Sequence, residues 1–105
     1  MFELQDFVGQ NDIIQKKYKW TYTPEHGEAK NYQLWISSKK LFVAENDLFQ
    51  MIRVDSITAI REGYGCWIDI LQQSDDSLLN RLEFNCNSSN EEFMKKIIVD
   101  ICKVL

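Results

Sequence analysis

The sequence predicts a mainly β domain with a single C-terminal helix. Three observations lead there. Turn signals recur about every ten residues, the segments between them alternate with period two, and the final fifteen residues or so switch to a helical period. The turn signals are Thr23-Pro24-Glu25-His26-Gly27, Ser37-Ser38-Lys39, Glu45-Asn46-Asp47, Gly63-Tyr64-Gly65, Ser74-Asp75-Asp76-Ser77 and Asn87-Ser88-Ser89-Asn90.

Seven short strands fill the intervals from about residue 13 to 86. In the first, Ile14, Lys16, Tyr18, Trp20 and Tyr22 share one face, and Gln15, Lys17, Lys19 and Thr21 the other. The second sets Tyr32, Leu34 and Ile36 against Gln33 and Trp35; the third sets Leu41 and Val43 against Phe42 and Ala44. In the fourth, Leu48, Gln50, Ile52 and Val54 oppose Phe49, Met51 and Arg53. A fifth spans about Ile57 to Glu62, and in the sixth Ile68 and Ile70 flank Asp69. The seventh sets Leu78, Leu82, Phe84 and Cys86 against Arg81, Glu83 and Asn85. Each segment can thus present one face to a core.

The helix is expected over about 90–104. Ser88 and Ser89 stand three residues before Glu91 and Glu92, the spacing of a capping box in either register. Phe93, Ile97, Ile98, Ile101, Cys102 and Leu105 then form one apolar stripe.

A chain of 105 residues makes one domain, and its 45% hydrophobic content excludes a disordered tail. The net charge of −4 argues against nucleic acid, whose phosphates call for a basic excess. Cys66, Cys86 and Cys102 show no C-x-x-C spacing and read as buried reduced thiols. The N-terminal hexapeptide, acidic and without an apolar core, shows no signal peptide, so the expected compartment is the reducing cytoplasm, peripheral at membranes at most. The sequon at Asn87-Ser88-Ser89 then goes unused.

Two stretches resemble the pleckstrin-homology-like superfold, in particular its GRAM and bacterial PH branches. Leu34-Trp35-Ile36-Ser37-Ser38-Lys39-Lys40-Leu41-Phe42-Val43 looks like its second strand, tight turn and third strand. Met51-Ile52-Arg53-Val54-Asp55-Ser56-Ile57-Thr58-Ala59-Ile60 looks like its fourth strand running into the fifth, with Arg53 where proline is common. The resemblance spans about residues 12 to 103. It implies a partly open seven-stranded antiparallel barrel capped by the helix; another antiparallel sheet with one terminal helix is the alternative.

The superfold hosts unrelated roles, so function has to come from particular residues. Phosphoinositide binding needs converging cations, and the candidates are Lys17, Lys19 and Lys30, with Lys39 and Lys40 beside them. The Lys/Arg-x-Arg signature of the family's second strand is missing, since Tyr32-Gln33-Leu34-Trp35 stands there, and Glu25 and Glu28 in the preceding loop repel phosphate. Trp35, Phe42, Phe49 and Trp67 fall on the faces turned from the core, which suits a partner-binding surface. Catalysis finds no support. His26 is the single histidine, Asp75-Asp76 fits a turn, and no cofactor or metal cluster is signalled. The expected function is a non-enzymatic adaptor for a protein partner or for self-association. Weak attachment to anionic membrane lipid is second.

Overall fold

A computed structural model describes residues 12–63, 66–73 and 80–105. The expected turns at Tyr64-Gly65 and Ser74–Ser77, the place of Leu78 and the N-terminal hexapeptide lie outside the described residues. Strands β1 (Ile14–Tyr22), β2 (Lys30–Ser37), β3 (Lys40–Glu45) and β4 (Leu48–Arg53) form one antiparallel sheet in sequence order. After a 3-10 turn at Val54–Ser56, β5 (Ile57–Gly63), β6 (Trp67–Gln72) and β7 (Arg81–Glu83) form a second. Helix α1 (Ser88–Cys102) follows. The sheets are separate hydrogen-bonded units and do not close into a barrel.

The β3–β4 hairpin shows how local chemistry sets register. Asn46 adopts φ +52°, a left-handed conformation that asparagine tolerates, and the turn pairs Glu45 with Leu48. Its amide donates to the Asn31 carbonyl, and its side-chain oxygen accepts from the Asn31 amide, both at 2.9 Å. Register then runs down the ladder to Lys40 opposite Arg53.

One core lies between the two sheets and the helix. Tyr32, Leu34, Ile36, Leu41, Val43 and Ile52 come from the first sheet, Ile68, Ile70 and Leu82 from the second, and Met94, Ile97 and Ile101 from α1. Truncating a fully buried residue such as Ile97 to alanine costs about 2–5 kcal/mol. Trp20 closes one corner, stacked between Tyr32 and Phe84 at centroid distances of 5.1 and 4.6 Å. Its indole nitrogen donates to the Glu83 carbonyl at 2.9 Å, joining β1 to β7. No helix among the described residues is long and apolar enough to cross a membrane.

Four expectations are corrected. Ile14 does not share the inward face of Tyr18, because the register shifts between Ile14 and Lys16; it packs on the outer face instead. The helix begins at Ser88 and is capped by Asn87, whose side chain accepts from the Asn90 amide at 2.9 Å. Its buried stripe centres on Met94, Ile97 and Ile101, which turns Cys102 and Leu105 outward. Cys66 and Cys86 are not reduced thiols: with Cα atoms 4.9 Å apart they form a disulfide tying the start of β6 to the loop before α1. Only Cys102 is free, and it is exposed.

Candidate functional site

The three candidate lysines do not converge. Lys17 and Lys19 point outward from β1, with the Lys17 ammonium 5.5 Å from the Trp35 ring centroid. Lys30 lies on the opposite parity, at 2.9 Å from Glu83 and 3.2 Å from Glu45. The hydrogen bond it donates to Glu83, opposed by desolvation and reinforced by Glu45, raises its pKa and keeps it charged. Those two carboxylates neutralise it within the corner where the sheets meet.

Three of the four candidate aromatics gather. Trp35, Phe42 and Ala44 are buried on the outer face of the four-stranded sheet, with Ile14 and Phe49 packed against them. The Phe42 and Phe49 rings are near parallel at 6.2 Å. Register sets Lys17, Trp35, Phe42 and Met51 in one row across four strands. At its end Met51 is 42% exposed, and Leu48 on the same strand is 52% exposed. The outward parity expected for Trp35 and Phe42 agrees with this placement, yet the pair is covered, and the row meets solvent at its two ends, Lys17 and Met51. Trp67 stands apart in the second sheet. It lies against Gly63, its cross-strand neighbour, with the Arg81 guanidinium 4.9 Å from its ring. Arg81 in turn grips Asp69 at 2.6 and 3.0 Å, which raises the arginine pKa.

A second feature lies where the β2–β3 turn meets the end of β4. A groove of about 790 Å³ opens there, lined by Lys39, Lys40 and Arg53 together with Val54, Ile57 and Leu105. Asp12 fixes the turn. Its carboxylate accepts from the Ser37 hydroxyl at 2.6 Å, the Ser38 hydroxyl at 2.7 Å, and the Ser38 and Ile13 amides at 3.1 Å. The Ser37 hydroxyl oxygen accepts from the Lys40 amide at 2.9 Å. Arg53 pairs with Asp55 at 2.6 Å. Lys39 and Lys40 were visible in the sequence as a basic pair; Arg53 was not singled out, although the two-residue turn at Asn46-Asp47 is enough to set it opposite Lys40.

Among the described residues no cluster of three histidine, cysteine or acidic side chains could hold a metal ion, and His26 is exposed. No family model, curated protein or solved structure matches the chain.

Proposed function

We propose that the chain is a PH-like, non-enzymatic binding module acting through protein contact, as an interaction or self-association adaptor. The element order supports the fold half of this reading: a four-stranded meander, a three-stranded meander and a terminal helix packed into a shared core. One observation supports the functional half. A two-layer domain needs a single apolar face per sheet, and the outer row through Trp35, Phe42 and Met51 is additional to it. Met51 forms the accessible apolar end of that row, backed by the stacked Phe42 and Phe49. A flexible thioether on a rigid aromatic floor suits an adaptable contact.

Light scattering across a wide concentration range tests this. Self-association raises the wild-type mass with concentration, and Met51→Glu returns a monomer with an unchanged circular dichroism spectrum. A wild type that stays monomeric throughout removes self-association. A captured partner that holds the Met51→Glu chain as tightly as the wild type removes this surface altogether. Cytoplasmic residence belongs to the same reading and stands in tension with the Cys66–Cys86 bond, because structural disulfides persist in oxidising compartments.

A further inference from the structure

We propose that a second copy of this chain pairs with it along β4, edge to edge and antiparallel, so that two four-stranded sheets join into one. The inference rests on the self-association reading above and names the contact through which it acts.

Edge strands are normally guarded by charge, by a bulge or by shortness. The described strands leave four edges, β1 and β4 in one sheet and β5 and β7 in the other. β1 carries Lys16, Lys17 and Lys19 and an irregularity after Ile14. β5 carries Arg61 and Glu62 and an irregularity after Ile57, and β7 has three residues. β4 has none of these guards. Its register with β3 is unbroken, and from Leu48 to Ile52 it holds no charge, proline or glycine.

The strand is also complementary to itself. The Val54 amide donates to the Lys39 carbonyl at 2.9 Å, which fixes the phase of the ladder. Leu48, Gln50 and Ile52 therefore direct their main chain toward β3, while Phe49, Met51 and Arg53 direct theirs out of the sheet edge. A two-fold axis at Gln50 sets Met51 opposite Phe49 of the second copy and Leu48 opposite its Ile52, so each face keeps its parity. Met51 then exchanges main-chain bonds with that Phe49, and its thioether lies beside the ring, whose stack on Phe42 is untouched. Met51 at 42% and Leu48 at 52% exposure are the apolar side chains such a contact covers. At either end Asp47 meets Arg53. Both are exposed, and Arg53 gives Asp55 one nitrogen of its fork, which leaves donors for Asp47. Moving the axis to Met51 would bring Asp47 against Asp55, so charge selects the first register.

Sedimentation of charge-exchanged variants tests the pairing. The wild type is expected to dimerise as its concentration rises. Asp47→Arg alone sets arginine against arginine, and Arg53→Asp alone sets aspartate against aspartate, so each variant dimerises at least about tenfold more weakly. Mixed in equal amounts, the two variants restore both ion pairs and the dimer. A second readout needs no variant: hydrogen exchange at the Met51 amide slows as the wild type dimerises, while the Ile52 amide, already turned to β3, does not change. A wild type that stays monomeric overturns this inference and the self-association reading together. A dimer indifferent to both single variants, a mixture of folded variants that fails to associate, or a Met51 amide that exchanges as fast in the dimer overturns the strand pairing alone and leaves self-association standing.

Discussion

Tyr18 in β1 donates its phenolic hydrogen to the carboxylate of Asp100 in α1, across 82 residues of sequence. Both side chains are buried, and Lys103 reaches the same carboxylate at 3.7 Å. The bond therefore anchors the helix to the first strand with a polar contact inside an otherwise apolar seam, next to the Tyr18–Phe93 edge contact at 5.6 Å.

Removing the hydroxyl leaves Asp100 short of a donor. Tyr18→Phe is expected to cost about 1–3 kcal/mol in urea unfolding at neutral pH, the range for stranding a buried polar group. The wild type also has an alkaline limb. Burial, then the Asp100 bond and charge, push the Tyr18 pKa up to about 12 from 10.0. Burial and the nearby Glu45 and Glu83 do the same for Tyr32. A raised folded value means the contribution is complete below the unfolded value near 10.0 and is lost as pH climbs through about 12. Tyr18→Phe should flatten part of that decline. An unchanged alkaline limb in the variant argues against the bond.

The disulfide gives a chemical count as well as an energy. Cys66 and Cys86 are 20 residues apart, and closing a loop of that size in the unfolded chain is worth about 3 kcal/mol in the chain-entropy account. Oxidised protein should present one reactive thiol, Cys102, and three after denaturation with reductant. The Cys66→Ala/Cys86→Ala pair should unfold at lower urea by that margin. Three reactive thiols in native protein would falsify the bridge.

How far such features could be read in advance depended on sequence distance. The faces of β2 and β3 followed from alternation alone, because every residue from Tyr32 to Ile36 and from Leu41 to Ala44 keeps strict parity. Ile14 did not, since one irregularity before Lys16 reverses everything upstream of it, and no residue type marks that spot. Met94 was passed over because the stripe was counted from Phe93 in steps that skip it, although Met94 stands three residues before Ile97 and seven before Ile101 on the buried side. The Cys66–Cys86 pair and the groove share a deeper obstacle. Each joins segments that only tertiary packing brings together, Leu105 with Lys39 being the extreme case.

Gly63 and Trp67 make a pair whose coupling can be measured. A Cβ on Gly63 would sit 1.8 Å from the Trp67 ring, so the indole occupies the space a side chain would need. Gly63→Ala is expected to destabilise by about 1–3 kcal/mol, the usual cost of overpacking, and to lift Trp67 from Arg81. Trp67→Ala empties the space. In the double variant the Gly63→Ala penalty should largely vanish, a coupling that a double-mutant cycle reads directly. Additive losses would mean that the strain lies in the backbone and not against the ring.

Asp12 sets the acid limb. Burial pushes its pKa up, but the hydrogen bonds from Ser37, Ser38 and the Ile13 and Ser38 amides outweigh that and hold it below the ordinary value of 3.8. A lowered folded value means the stabilisation is complete above the ordinary carboxyl range and disappears as pH falls through the folded pKa. Asn at this position keeps the shape and removes the charge, and its amide cannot accept all four bonds at once. Asp12→Asn should therefore cost about 1–3 kcal/mol at neutral pH, and the gap to wild type should close under strongly acid conditions. A gap that persists unchanged into acid would assign Asp12 a packing role only.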